Sequence, residues 1–440
     1  MAKASRARRW PEQSKLELAP SQDPFSRESI EHLVSRYGSP LFLMDAERVR
    51  AQYRKLSAAL PGVGLFYAIK SLPHPSVVAT LRDAGACFDL ATNGEVELVR
   101  RLGIAPERCI HTHPIKRDGD IRTALAYGVR YFVIDNEDEL RKFAKFRTRA
   151  ELLIRVAFRS NDAVVDLSRK FGCDPETVAE LVALAAELRI RVAGLSFHAG
   201  SQAAGPEMHV RAIEVCRELM LAQRARGHEL TILDIGGGFP TNYRPSTPEV
   251  GAVAPAASGA LASTAGVLPA TGEVPGTREL SGAAATVPGI EIFCGPIREA
   301  LRTLDPAIRV IAEPGRYISA PSAVVVSSVM GRAERDGRWW YYLDDGLYGS
   351  YSGQMFDHAE YPLEALVPDG PRFPSVLAGP TCDSIDVIRE NIELPKLKQG
   401  DLVVGRVMGA YTWASASEFN FFPRTTVLAL DRGRLIREGE

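Results

Sequence analysis

The sequence predicts a parallel (β/α)8 barrel, a TIM barrel, followed by an all-β domain, and three observations carry that prediction. Eight short apolar runs, at 63–70, 87–90, 109–112, 131–135, 151–158, 192–198, 231–237 and 310–316, alternate with spacers of helix length. Glycine-rich and polar clusters fall just after these runs on several different units, as they do at the C-terminal rim of a barrel. Beyond Arg316 the texture changes to β-rich runs bounded by Gly, Asp and Pro. A doubly wound open sheet is the architectural alternative, disfavoured by the spread of the clusters over many units.

Taken in order, residues 1–27 form a tail in which Arg6, Arg8 and Arg9 are not followed by the apolar core of a secretory signal, so disorder is expected. In residues 28–60 the run Leu41-Phe42-Leu43-Met44-Asp45 reads as a strand that joins the β domain from the N-terminal side. The barrel occupies residues 61–317, and its helical spacers are clearest at 174–188 and 208–226, where apolar residues recur three and four apart. Residues 246–288 interrupt it with a stretch dominated by Ala, Gly, Pro, Ser, Thr and Val, expected to be a disordered loop. The β domain, a sandwich or barrel over 318–440, is read from SAVVVSSVMG, RWWYYLDDG, PSVLAG, DLVVGRVMGAY and TTVLALDRG.

Composition narrows the function. At 440 residues, with 45% hydrophobic and 24% charged, the chain exceeds what one core needs and suits two domains. The 53 basic and 54 acidic residues leave a net charge of -1, with no global field to attract nucleic acid or a membrane surface, so local charges must hold any ligand. Cysteines at 87, 109, 173, 216, 294 and 382 lack the paired spacing of a metal or redox site. Free thiols in a reducing cytoplasm are expected.

Four strand ends carry chemistry. Gly64-Leu65-Phe66-Tyr67-Ala68-Ile69-Lys70 is an apolar run that breaks into Ser71-Leu72-Pro73-His74-Pro75, which leaves Lys70 at a strand's C-terminal end. Lys70 is either a side chain snorkelling to the rim or an amine in a desolvated pocket, its pKa lowered so that it condenses with an aldehyde. Asp234 and Ile235 run into Gly236, Gly237 and Gly238, which form either a plain turn or a backbone cradle for an anion such as phosphate. Glu313-Pro314-Gly315-Arg316 ends strand eight with a carboxylate and an arginine, a rim salt bridge or part of a phosphate clamp. His198 and Ser201 follow strand six at the same mouth, where a lone histidine is as readily structural as functional.

FYAIK, SFHAGSQ, DIGGGFP, AEPGR, FDHAE, GPTCDSID and GAY occur in the order and context of the fold-type III pyridoxal-phosphate decarboxylases. Over residues 28–440, apart from the insertion, the chain resembles the ornithine/diaminopimelate/arginine decarboxylase family. The resemblance implies an alanine-racemase-like barrel, a pyridoxal 5′-phosphate (PLP) cofactor and a homodimer with active sites shared across its interface. It also implies roles: Lys70 as the Schiff-base lysine and His198 as the imidazole against the pyridine ring. Ser201, Gly236, Gly237, Gly238, Gly315, Arg316 and Tyr411 are implied around the phosphate, with Asp89 and Arg155 as polar contacts near the cofactor. Glu313 resembles the carboxylate that pairs with the pyridine nitrogen, which favours decarboxylation over racemisation.

Cys382 and Asp383 resemble a pair supplied by the second subunit, the thiol to return a proton to Cα and Asp383 to grip the substrate's distal amine. Asp357 matches a second distal-amine carboxylate, and Phe356 stands where tyrosine is usual in eukaryotic members. Two acidic groups suit a small amino acid whose far end is only an ammonium. The reaction expected from the resemblance is therefore decarboxylation of L-ornithine to putrescine. Lysine, or both substrates, is the alternative; diaminopimelate is less suited because its distal carboxylate needs a cation. The reading outside enzymes is an inactive regulatory homologue.

Overall fold

The computed structural model describes residues 16–158, 163–165, 169–243 and 287–436. The 246–288 insertion lies outside the described residues apart from its last two positions, and so do residues 1–15 of the expected tail. The first strand is β1 (Leu41–Asp45). The barrel region then runs β2 (Gly64–Ala68), β3 (Cys87–Leu90), β4 (Cys109–His111), β5 (Tyr131–Ile134), β6 (Glu151–Val156), β7 (Ala163–Val165), β8 (Arg191–Phe197), β9 (Ser201–Ala203), β10 (Ile232–Asp234) and β11 (Arg309–Ala312). Eight of these close into a barrel in the order β10-β11-β2-β3-β4-β5-β6-β8, and every pairing in it is parallel. All eight sequence runs are recovered as its strands. β7 and β9 pair separately as a small antiparallel ribbon.

The barrel interior is filled by Phe66, Ile110, Val133, Leu153, Ala193, Ile232 and Ile311, one side chain from most strands, so it is a packed core and not a pore. The alternate residues face an outer ring of helices and join the main core. Those helices begin where local chemistry allows. Pro75 starts helix Pro75–Asp83 behind a His74 cap, and Thr92 with Glu95 forms a capping box on helix Asn93–Arg101. The spacers at 174–188 and 208–226 form helices Val178–Glu187 and Glu207–Ala225.

The second domain continues with β12 (Ala323–Arg335), β13 (Arg338–Leu343), β14 (Leu363–Ala365), β15 (Arg372–Ala378), β16 (Val387–Pro395), β17 (Leu402–Gly405), β18 (Thr426–Asp431) and β19 (Arg434–Leu435). The long strand β12 serves both halves of the sheet. Its first half pairs β1 and β17, its second half pairs β13, and the register shifts between Val329 and Gly331 where it bends. β1 lies between β12 and β18, antiparallel to one and parallel to the other.

Two expectations about the N-terminal region are corrected. Residues 16–26 are packed: Glu17 and Leu18 donate to the Gly433 carbonyl, and Leu18 and Phe25 are buried with Leu41 and Leu430. The segment 28–60 is divided. Helix Arg27–Tyr37 and β1 cover and complete the β domain, whereas helix Ala46–Ala59 packs against helices Pro75–Asp83 and Ile290–Leu301 of the barrel.

Candidate active site

The C-terminal strand ends converge on one cavity, lined by Ala68, Lys70, His198, Ser201, Gln202, Gly237, Gly238, Phe239, Glu313, Gly315, Arg316 and Tyr411. β2 delivers Lys70 by breaking into the short turn Ile69–Ser71. Its Nζ donates to Asp89 Oδ2 of the neighbouring β3 at 2.6 Å, and Thr112 donates to the other oxygen of Asp89. Asp89 is buried, and 43% of the Lys70 side chain is exposed to the cavity. The expectation of a lowered lysine pKa is corrected here. Burial, the largest single influence, would lower it, but the nearby negative groups together, Asp89 first and then Glu313 and Tyr411, hold the ammonium above its ordinary value.

The glycine turn packs too closely for side chains. A Cβ would come within 2.2 Å of Phe197 O at Gly236, 2.8 Å of Glu313 O at Gly237 and 2.6 Å of Gly200 O at Gly238, and Gly236 and Gly238 have φ of +65° and +99°. Asp234 at the end of β10 pins the turn by accepting from Gly236 N at 2.9 Å and from the Ser196 hydroxyl at 3.1 Å. His198 lies against Gly237, accepts from Gly200 N at 3.0 Å, and is kept neutral by burial and by Arg155.

Glu313 follows β11, and its backbone N–H donates to Gly236 O at 2.7 Å. Burial, with Asp234 and Asp89 adding, pushes its carboxyl well above the ordinary range. Burial raises Asp234 too, and the two carboxyls share a hydrogen bond, so the pair retains a proton that isolated carboxyls would lose. Arg155 on β6 is partly buried, with its guanidinium 5.6 Å from the Phe171 ring.

Arg316 collects the other side of the cavity. It donates to Tyr243 Oη at 2.7 Å and to Ser201 Oγ at 2.9 Å, pairs with Asp357, and lies 4.9 Å from the Tyr411 ring. Its Nε is buried with no hydrogen-bond partner among the described residues. Tyr411 reaches in from the β domain and is tied to the barrel rim by its N–H on Ser71 O. Gly315 is required by contact: a Cβ there would sit 3.0 Å from Ser71 Cβ.

Cys382, Asp383 and Phe356 are not brought to this cavity. Cys382 is an exposed free thiol, Phe356 is 66% exposed, and Asp383 accepts from Tyr348 Oη at 2.5 Å on the surface of the β domain. Sequence reasoning missed Asp234, Thr112, Tyr243 and Gln202. Asp234 carried a readable signal, a carboxylate separated by one residue from three glycines; the others are legible only once the strand ends are side by side.

The family description "Pyridoxal-dependent decarboxylase, pyridoxal binding domain" matches residues 46–269. A lysine/ornithine decarboxylase of Selenomonas ruminantium is 33% identical over 408 residues, 92% of this chain and 94% of that protein. The chain belongs to the fold-type III PLP-dependent decarboxylases. An ornithine decarboxylase of Schizosaccharomyces pombe is 32% identical over 405 residues, 89% of this chain and 83% of that protein. Structures of a lysine/ornithine decarboxylase from Vibrio vulnificus, complexed with putrescine and with cadaverine, superpose with a TM-score of 0.80 at 49% and 50% identity, covering 92% of this chain and 98% of theirs.

As a member of that family the chain is a PLP-dependent amino-acid decarboxylase, and its cavity fits the cofactor on its own chemistry. A glycine cradle that any Cβ would fill, together with Arg316, whose Nε has no partner, suits a phosphate. A buried, proton-retaining carboxyl at Glu313 suits a basic ring nitrogen.

Proposed function

We infer that this decarboxylase acts on L-ornithine and also accepts L-lysine, giving putrescine and cadaverine. The observation that carries the reading is the acidic character of its distal side. Asp357 pairs with Arg316 beside the cavity, and Asp383, which lies on the β-domain surface and would serve a partner subunit's cavity, has its carboxyl held below the ordinary range by Tyr348. Arg316, the cation beside Asp357, would be taken up by the cofactor's phosphate in this reading, which disfavours a substrate carrying a second carboxylate. Likeness to a Vibrio enzyme complexed with both diamines supports the pair of substrates over one, since a single methylene is worth only about 1–3 kcal/mol of discrimination.

In this reading PLP supplies an electron-accepting ring for the pair left when the Cα–carboxylate bond breaks. Lys70 would hold the cofactor covalently, and Asp89 orients that lysine in its absence. The glycine turn, Ser201 and Arg316 would bind the phosphate, with Tyr411 and Gly315 shaping the wall. His198, a neutral imidazole, would pack against the cofactor, and Arg155 contributes positive charge deeper in the barrel. Glu313, with Asp234 behind it, would supply a proton to the ring nitrogen.

The same reading makes the active unit a dimer. Cys382 and Asp383 would complete the partner's cavity, Cys382 delivering a proton to Cα. Support comes from large apolar side chains left exposed on the β domain: Phe421 is 98%, Ile385, which contacts Asp383, 52% and Phe356 66% exposed. Product analysis with ornithine, lysine, arginine and diaminopimelate tests the substrate, and formation only of agmatine, or only of lysine from diaminopimelate, would overturn it. Mixing Lys70→Ala with Cys382→Ala subunits tests the shared site. Random reassortment makes about half the dimers mixed, each with one intact site of two, so roughly a quarter of the parent activity should return. No recovery after verified subunit exchange would place both residues in one chain's site, or Cys382 outside it.

A further inference from the structure

His209 lies behind the glycine turn, outside the cavity, near the start of helix Glu207–Ala225. Its side chain is fully buried, with Nε2 3.0 Å from Gly237 O and Nδ1 without a hydrogen-bond partner among the described residues. Phe239, Phe293 and Phe197 surround the ring at centroid distances of 5.4, 5.8 and 6.2 Å. Burial keeps the imidazole neutral, its pKa down at about 4. A neutral imidazole has a single N–H, and a carbonyl can only accept, so the proton sits on Nε2 and the lone pair of Nδ1 is left buried.

A buried acceptor without a donor is unfavourable, and a phenylalanine would complete the same aromatic box without that cost. What histidine adds is the bond to Gly237. The peptide joining Gly237 to Gly238 is planar, so holding its carbonyl toward His209 turns the Gly238 N–H to the opposite side. Gly237 and Gly238 themselves line the cavity with Ser201 and Arg316. Both glycines lack the side chains that would otherwise restrict this peptide, so an external anchor is needed to fix its orientation. We propose that His209 is a positioning residue that locks the Gly237–Gly238 peptide with its N–H facing the cofactor's phosphate.

The proposal rests on the phosphate reading of the glycine turn, and pyridoxal, which lacks the phosphate, separates the two. The apoprotein is titrated with PLP and with pyridoxal, followed by absorbance. His209→Phe keeps the aromatic packing and removes the donor; PLP should bind about tenfold more weakly, pyridoxal as before, with kcat at saturating PLP little changed. His209→Gln, which can still donate, should recover most of the PLP affinity. Equal weakening of both ligands, or unchanged PLP binding, would overturn the proposal while leaving the cradle in place. A parent protein that binds pyridoxal as tightly as PLP would overturn the cradle reading and the proposal together. Should His209→Phe not fold, nitrogen-15 spectra of histidine-labelled parent protein decide: a proton on Nε2 of His209 supports the proposal, and a proton on Nδ1 sinks it.

Discussion

Two lysines near the barrel rim meet carboxylates in opposite ways. Lys70, at the mouth, reaches Asp89 at 2.6 Å with 43% of its side chain exposed. Lys116, in the loop after β4, lies 3.1 Å from Glu139, both side chains 1% exposed, and also donates to the carbonyls of His113, Pro114 and Val133. Burial drags the Lys116 pKa down to about 8 despite Glu139, whereas at Lys70 Asp89, Glu313 and Tyr411 together prevail over burial. A lysine whose donors are all spent on the protein can only hold structure together. One that keeps an open side and a single hydrogen-bond partner can exchange that partner for a cofactor.

The comparison breaks most sharply at Lys70. Lys70→Ala should lower kcat/KM on the order of a thousandfold or more, and borohydride, which should fix PLP to Lys70 in the parent, should fix none in the variant. Peptide mapping that finds the label on another lysine would end the assignment. At Lys116 the loss should appear in stability instead. Lys116→Ala leaves Glu139 buried with Lys142 and the backbone N–H of residue 116 beside it and should cost about 3 kcal/mol in urea unfolding, with kcat of the folded protein near the parent value. A large fall in kcat without loss of stability would make Lys116 part of the chemistry.

Smaller effects sharpen each side. Asp357→Ala at the mouth should raise KM for ornithine, a loss of about 2–3 kcal/mol, while PLP stays bound. If PLP affinity falls and KM does not, Asp357 serves Arg316 and not the substrate. Behind the wall, His111 stacks on Phe132 with neither ring nitrogen partnered, and burial, with Lys116 nearby, holds its pKa at about 4, below the ordinary 6.5. A depressed folded pKa means stability present above about 6.5 and lost as pH falls toward 4. His111→Phe should therefore flatten the fall of Tm between those pH values by a few degrees relative to the parent. Parallel Tm curves for the two proteins would contradict this.

The eight barrel strands and the glycine turn were legible because each is a local pattern, an apolar run ending in residues only a tight turn needs. Strand β16 was not, since VIRENIELP carries Arg389, Glu390 and Glu393 on the outermost strand of the sheet, where one edge meets water. Residues 16–26 read as tail because two apolar anchors, Leu18 and Phe25, stand among Pro, Ser, Asp and Gln. The site's residue types were readable, but its electrostatics were not. The charge on Lys70 depends on Asp89 of the adjacent strand, and Asp357 meets Arg316 only because the β domain folds back over the barrel mouth.

Strand β1 imposes an order on synthesis. Its five residues, all buried, pair with β12 on one side and β18 on the other, yet β12 starts about 280 residues later in the chain. At ribosomal rates of roughly 5–20 residues per second, Leu41-Phe42-Leu43-Met44 leaves the ribosome roughly 15 to 60 s before its first partner strand exists. During that interval an apolar strand with two open edges is a surface that a holding chaperone, or another nascent copy, can occupy first. A chain released after the barrel alone would keep that exposed strand permanently, so yield in a cell should depend on completing the last hundred residues as much as on the barrel that carries the chemistry.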